Sequence, residues 1–315
     1  MAMNSPKQLD VIVAGLALAD IIGRPIDLRK PPRRGALKLV DSITLTTGGN
    51  VSNVGIDLSK LGFRVGAITR IGDDALGRFV LQHCRTFGMN TEGVSIDRGT
   101  QTSATIVSVD NDGERTFVHT RGCMERFRAS DLLTRMPYLR RAKILAFGYL
   151  GLLPETEKDF ARLFSTIKAK TSLRILLDTA AAPRITMKMV RSFIPYIDYF
   201  IPSYEEAVLI TGKKTPEEIV DTLQIAGAPH VVGVKLGKRG CYLSDGTRSE
   251  YVRAIPVRSV VDATGAGDAF IAGFVAGTLR GYDPFRAALV ANKIAASCVR
   301  AVGASTAIRR FETYR

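Results

Sequence analysis

The 315-residue chain reads as an α/β fold with a mainly parallel central sheet, helices on both faces in an α/β/α arrangement, and a small β-sheet lid. Three observations predict it. Short apolar runs alternate with helix-like segments, the pattern of strands joined by helical crossovers. The first run, Asp10-Val-Ile-Val-Ala-Gly15-Leu-Ala-Leu, is almost continuously apolar, as suits a strand buried on both faces. Two β-rich inserts, residues 21–47 and 100–122, leave that rhythm and return to it.

The elements follow in order. Asp20 stands just past the end of the first strand. Residues 48–62 then change period: Val51, Val54, Leu58 and Leu61 follow helical spacing, and Gly62 supplies a C-terminal stop. Strand-like runs recur at 64–71, 143–147, 173–177, 199–201 and 230–236, and helix-like segments at 156–169, 203–211 and 216–226 separate most of them. The 100–122 insert has two β-rich arms around Asn111-Asp112-Gly113, a hairpin signal. The 21–47 insert is strand-prone and basic. Together they are expected to form a small sheet over the mouth of the main domain, which would keep water out of a transfer reaction. With no long linker and no internal repeat, residues 1–315 are read as one domain.

Composition narrows the function. Hydrophobic content of 46% with 23% charged residues is ordinary globular composition and supplies ample core. The opening Met-Ala-Met-Asn-Ser-Pro-Lys-Gln has no apolar signal core, and no later run is long enough to span a membrane, so a cytoplasmic location is expected. Cys84, Cys123, Cys241 and Cys298 are scattered without CxxC spacing and read as reduced thiols. His83, His119 and His230 have no partner at metal-ligand spacing, which argues against a histidine-based triad. The net charge of +14 is densest at Arg29-Lys30-Pro-Pro-Arg33-Arg34, with Arg24 and Lys38 nearby. Without tryptophan, a basic helix or interleaved aromatics to stack bases, that charge reads as a solvated surface, or a field for anionic small molecules, rather than as a nucleic-acid site.

The most informative segment is Asp262-Ala-Thr-Gly-Ala-Gly-Asp268, followed by Ala269-Phe270-Ile271-Ala272-Gly273-Phe274-Val275. Phe270 and Phe274 lie one helical turn apart, so a buried helix is expected to start near Gly267. A Gly-Ala-Gly turn opening a helix aims bare N–H groups and the positive end of the helix dipole at one spot, an anion hole. An aspartate in the same turn puts a proton acceptor beside the anion, as phosphoryl transfer to a hydroxyl requires. A helix-capping role accounts for Asp268 but leaves the paired glycines unexplained. No stretch supplies G-x-x-x-x-G-K-[ST], and Phe270 stands where a dinucleotide fingerprint needs a small residue.

With Gly48-Gly49-x-x-x-Asn53 at an early helix, Ile71-Gly72-Asp73-Asp74-Ala-Leu-Gly77, Lys235-Leu-Gly237-Lys-Arg-Gly240 and the 262–268 turn, the chain resembles the ribokinase-like (PfkB) carbohydrate kinases over essentially its whole length. The resemblance implies a three-layer α/β fold with a β-lid, often shared across a homodimer. It also implies transfer of a phosphoryl group from ATP, with Mg²⁺, to a hydroxymethyl group. Asp268 would then be the base, with Gly265, Ala266 and Gly267 supplying the anion hole. Asp20, Gly48, Gly49 and Asn53 match positions that hold acceptor hydroxyls; Lys235, Gly237, Gly240 and Asn292 match positions around the nucleotide. Where the family commonly has Asn-x-x-Glu, this chain reads Ser203-Tyr-Glu-Glu206. Glu206 would organise the Mg²⁺ shell through water, and Ser203, which lacks the carboxamide, is equally an N-cap with Glu206 as its capping-box partner. Asp262, with backbone near Ala301 and Gly303, matches the place where relatives bind a monovalent cation such as K⁺.

The acceptor is less constrained. Tyr149 is a candidate wall of the acceptor pocket, and Arg121 or the Arg29–Lys38 cluster is placed to grip a phosphate on the acceptor. The expected order is a neutral sugar, then a nucleoside, then a sugar phosphate. The alternative outside enzymes is a catalytically silent sugar or nucleotide sensor on the same fold. Retention of Asp268, the turn glycines and Glu206 argues against it.

Overall fold

The protein is described by a computed structural model over residues 8–31, 33–180, 185–228 and 230–315. The N-terminal stretch read above for signal character lies outside these residues up to Lys7, as does Pro32 of the basic cluster. In chain order the strands are β1 (Val11–Gly15), β2 (Leu18–Arg24), β3 (Ser42–Gly48), β4 (Val65–Gly72), β5 (Asn90–Asp97), β6 (Ala104–Val109), β7 (Arg115–Thr120), β8 (Ile144–Leu150), β9 (Arg174–Thr179), β10 (Tyr199–Phe200), β11 (Val231–Lys235), β12 (Cys241–Ser244) and β13 (Ser249–Val252). The helices are α1 (Asn50–Lys60), α2 (Ala75–Thr86), α3 (Ala129–Leu133), α4 (Met136–Leu139), α5 (Pro154–Glu157), α6 (Phe160–Lys170), α7 (Met187–Phe193), α8 (Tyr204–Thr211), α9 (Pro216–Ile225), α10 (Ala266–Leu279) and α11 (Pro284–Cys298).

Nine strands form the central sheet in the order β13-β12-β11-β10-β9-β8-β1-β4-β5. Its pairings from β5 to β11 are parallel, and β12 and β13 extend it antiparallel. The period of two along each strand divides the core. Val11, Val13, Ile144 and Ala146 face one side with α1, α10 and α11, while Ile12, Ala14, Leu145 and Phe147 face the other with α6, α7 and α9. Both faces are dry, which is why β1 and β8 carry almost no polar residue. Burying a side chain of this size stabilises the fold by about 1.5–3 kcal/mol. The expected mainly parallel sheet with helices on both sides is therefore the observed one.

The second sheet has the order β3-β2-β6-β7, built from the two inserts. Only the edges of the 21–47 insert join it, since 25–41 has no regular secondary structure among its described residues. Two sequence expectations need correction. The first apolar run is not one strand: it breaks after Gly15, and Asp20, expected past the strand end, lies inside β2 of the small sheet. Asn50 explains the break, because its side-chain nitrogen donates to Ala14 O and its oxygen accepts from Leu16 N, both at 2.9 Å, in place of a strand neighbour. The helix expected over 156–169 is split into α5 and α6 between Lys158 and Asp159. Helix α2 and strands β5, β12 and β13 add to the elements read from the sequence.

No helix among the described residues is long and apolar enough to cross a membrane. One buried group stands apart from the pattern. Asp57 of α1 is wholly buried, and neither carboxylate oxygen has a hydrogen-bond partner among the described residues. Burial pushes its pKa well above 3.8, outweighing the nearby Ser305 side chain and the Lys60 charge, and the charge of Asp268 acts in the same direction as burial. The folded protein thus keeps a proton that the unfolded chain releases above about pH 3.9, so this group lowers stability as pH rises toward its folded pKa. Asp57→Asn should accordingly stabilise the protein by on the order of 1–3 kcal/mol at pH 8 and lose that advantage near pH 4. Thermal melts at the two pH values check this, and equal melting temperatures at pH 8 would contradict it.

Candidate active site

Strand order reverses between β1 and β8, since the chain runs outward from β1 to β5 and then restarts at β8 on the other side. In such sheets ligands bind outside the carboxyl ends of the strands at the reversal. The two strands approach closely there: a side chain at Gly15 would lie 1.6 Å from Gly148 O. Three helices begin at the same edge, α1 after Gly49, α8 after Ser203 and α10 after Gly265, and each points a positive end inward.

The turn before α10 has the expected form. Gly265 sits at φ 75°, and a Cβ there would meet the Ala304 side chain at 2.4 Å, so only glycine fits. Ala266 opens α10, one residue before the expected start. Its N–H is directed at Ala263 O, at 3.3 Å. The first-turn N–H groups of Gly267 and Asp268 belong to those a helix cannot satisfy internally, the arrangement that suits an anion at a helix N-terminus.

Asp268 is buried at the centre of a polar cluster. Its Oδ2 accepts from Asn53 Nδ2 at 2.9 Å and from Tyr149 Oη at 2.8 Å, whereas its Oδ1 is buried without a partner among the described residues. An orphaned carboxylate oxygen beside a helix N-terminus is suited to receive a ligand hydroxyl. Burial raises the Asp268 pKa; the hydrogen bonds from Asn53 and Tyr149 and the charge of Lys235 counter it. Asn53 and Tyr149, expected on the acceptor and at the pocket wall, both hold this carboxylate. Burial, with the charge of Asp268, pushes the Tyr149 phenol well above 10, so it remains a donor.

Beside this cluster lies a buried ion pair, Lys235 Nζ to Asp178 Oδ1 at 2.7 Å. The ammonium also lies 3.8 Å from the position a Cβ on Gly267 would take. Burial alone would lower the Lys235 pKa, but Asp178, Glu206 and Asp268 outweigh it, and Lys235 is held charged. Lys235, expected from the sequence beside the nucleotide, is a fixed cation next to the turn that opens α10. Glu206 Oε2 accepts from Thr179 Oγ1 and, at 3.1 Å, from Ser203 N, which is the carboxylate half of a capping box. Ser203 is thus the N-cap of α8. Asp178 and Thr179 escaped the sequence reading. Their signal was a carboxylate and a hydroxyl closing an apolar run, at the functional edge of a parallel sheet.

The small sheet covers this edge, and a cavity of about 890 Å³ lies between them, lined among others by Asp20, Thr46, Asn53, Arg24, Arg115 and Thr264. Asp20 comes from β2 and lies against Gly48, where a Cβ would meet its Oδ2 at 2.3 Å. Burial raises the Asp20 carboxyl to about 6, against the Thr105 hydroxyl and the Arg115 charge. Gly49, at φ 83°, is held against Leu16 O, 2.4 Å from where its Cβ would lie.

Other expected site residues are not gathered here. Arg121 does not line the cavity; Arg24 and Arg115 are the arginines that do. Arg29 pairs with Asp27, Asp110 and Asp112. Asn292 spends its amide nitrogen on Val252 O and Arg253 O, both at 3.0 Å, tying α11 to the end of β13. Gly240 is required by the approach of Val252 O, which would lie 2.1 Å from a Cβ, while Gly237 at φ 57° faces open space. Asp262, by contrast, does line the cavity: it accepts from Thr264 N and Gly303 N, each at 2.9 Å, and is ion-paired with Arg115 at 2.7 Å.

Comparison with known proteins gives the context. The model of the pfkB family carbohydrate kinases matches residues 8–310. The chain belongs to that family. It is 30% identical to a 2-dehydro-3-deoxygluconokinase from Bacillus subtilis over 281 residues, 85% of each chain. It is 26% identical to a 5-dehydro-2-deoxygluconokinase from Shouchella clausii over 88% of this chain and 85% of that one. The fold matches an Arabidopsis thaliana ribokinase solved with ribose and ATP at a TM-score of 0.84 and 22% identity, covering 97% of both chains. A structure from E. coli solved with ATP and Mg²⁺ matches at 0.81 and 21% identity, again over 97% of both. Family and relatives are ATP-dependent phosphotransferases with an alcohol acceptor.

For this pfkB kinase the donors on Asp268 make a pH prediction. A hydrogen bond to the carboxylate favours its ionised form, so Tyr149→Phe should raise the Asp268 pKa further. The group would then stay protonated to higher pH, and, with Asp268 as the base expected from the sequence, the acid limb of kcat/KM should move to higher pH. A pH–rate profile checks this; an unmoved limb would separate Tyr149 from the titrating group.

Proposed function

We propose that this kinase transfers the γ-phosphoryl group of ATP to a hydroxymethyl group of a sugar, with Asp268 as general base. The observation that carries the reading is the buried, unpartnered Oδ1 of Asp268 one residue beyond the Gly-Ala-Gly turn. An acceptor hydroxyl bonded to that oxygen sits next to the N–H groups that face the phosphoryl. As the bond from phosphorus to the β-phosphate oxygen breaks and the bond to the acceptor oxygen forms, the hydroxyl proton passes to Asp268 and ADP leaves. Gly265, Gly267 and the charge of Lys235 stabilise the negative charge on the transferring oxygens.

Mg²⁺ suits the residues present. Glu206 Oε2 is occupied by Thr179 and Ser203, and its Oε1 accepts no hydrogen bond among the described residues, so it can hold metal-bound water. No group of three or more histidine, cysteine or acidic residues among those described is arranged to hold a metal alone. Nucleotide phosphates and water would therefore complete its shell, as is usual for Mg²⁺. The bound ion would neutralise phosphate charge. Asp20 and the Gly48–Gly49 backbone take acceptor hydroxyls. A second reading, a sugar acid, is favoured by Arg24, which lines the cavity and has no ion-pair partner among the described residues.

The homodimer reading has support in the lid. Leu45, Ile21, Ile106 and Val118 form one row across all four strands of the small sheet on the face turned from the cavity. Ile106 and Val118 are 52% and 61% exposed, with Ile43 at 73%, an apolar face that a second copy would cover.

Two tests follow. An ADP-release assay over pentoses, hexoses, sugar acids, nucleosides and sugar phosphates should show one active acceptor class. Asp268→Asn should lose on the order of 10²–10⁴-fold in turnover while still binding ATP. Near-normal turnover in that variant would remove Asp268 from the mechanism. Separately, Val118→Asp should weaken self-association by at least about tenfold in sedimentation velocity, while a wild type that sediments as a monomer would refute the lid dimer.

A further inference from the structure

The family resemblance implies a monovalent cation beside Asp262, and the residues present do not fit one. Asp262 Oδ1 accepts from Thr264 N and its Oδ2 from Gly303 N, and Oδ2 is also ion-paired with the Arg115 guanidinium at 2.7 Å. The pair is sequestered, with side-chain exposures of 20% for Arg115 and 5% for Asp262. Several carbonyls of the neighbouring segments are also engaged. Lys60 Nζ donates to Ser305 O at 2.6 Å and Thr306 O at 3.3 Å. The Cys298 thiol, with one proton to give, lies 3.0 Å from Ala304 O and 3.4 Å from Thr264 O, and Val299 O accepts from Val261 N and Asp262 N. A free cation here would have to displace these donors and settle beside two fixed positive charges.

We infer that Arg115 does the work of a monovalent cation in this kinase, and that it does so from the lid. Arg115 opens β7, on the cavity-lining face of the small sheet, in register with Val109 and Arg24. Asp262 begins the segment that leads through Thr264 into Gly265, and its contact with Gly303 fixes the loop on which Ala304 meets Gly265. Neutralising Asp262 therefore steadies the anion-binding turn, and the neutralising charge arrives only when the lid is down. Arg115 is a positioning residue that makes a dissolved cation unnecessary and couples lid closure to assembly of the turn. The same guanidinium lies close enough to Asp20 to favour that carboxylate's ionised form.

The test compares wild type and Arg115→Met in potassium chloride and in tetramethylammonium chloride at equal ionic strength. Wild type should show the same kcat/KM and the same melting temperature in both salts. Arg115→Met should lose at least about tenfold in kcat/KM in tetramethylammonium, and potassium or guanidinium should restore part of it. Its melting temperature should rise in potassium, which a purely structural loss would not produce. Activation of wild type by potassium, or an Arg115→Met enzyme with full activity in tetramethylammonium, overturns the inference. Arg115→Lys, which keeps the charge without the fork, serves if the methionine variant does not fold. The kinetic arm rests on the kinase reading, but the melting arm does not. Absence of turnover with every acceptor would therefore count against the proposed function alone, leaving the salt-dependent melts to decide this point.

Discussion

The Lys235 ammonium, 2.7 Å from Asp178 and within electrostatic reach of Glu206 and Asp268, is, among the described residues, the one side-chain cation in a pocket of three carboxylates. Removing charges from water is costly, and one ammonium cannot offset three carboxylates. The remainder is met by geometry. Helices α1, α8 and α10 bring their positive ends to the same edge, and Glu206 is satisfied by Thr179 and the Ser203 N–H. Asn53 and Tyr149 supply donors to Asp268. What is left is an excess of negative charge beside bare N–H groups, and a metal–nucleotide complex brings both the cation and the phosphate that such a site lacks.

That balance accounts for features that sequence patterns treat separately. Gly265 is glycine because Ala304 packs where its side chain would be, and Gly49 because Leu16 O does the same. Both constraints pull helix N-termini into contact with the sheet edge. The Arg115–Asp262 pair extends the arrangement to the lid, so that fixed positive charges lie near the 262–268 turn from both the central sheet and the small one.

Much of the fold was legible because it is local. The apolar runs of β1 and β8, the helical period of 48–62 and the 262–268 turn each carry their signal within a short window. The site was legible only in part, since its chemistry depends on pairs far apart in the chain. Asn53 and Asp268 are separated by 215 positions, Tyr149 and Asp268 by 119, and Lys235 and Asp178 by 57. Motif spacing identified Asp268, Asn53 and Lys235 as important types in important places, but it carried no information on which contacts each would spend itself on. Asn292 illustrates the reverse case: a polar residue on a buried helix face that is consumed by Val252 O and Arg253 O. The break after Gly15 was equally hidden, because hydrophobic period is indifferent to which sheet a strand joins.

Strand β2 leaves the central sheet with only Leu16 and Ala17 between it and β1, and β3 runs through Gly48 directly into the start of α1. The cover is thus joined to the floor at both ends without slack, and it carries Asp20 with it. A cover held this way cannot shift far without disturbing Gly48 and Gly49 at the head of α1, so the position of Asp20 and the start of that helix are set together.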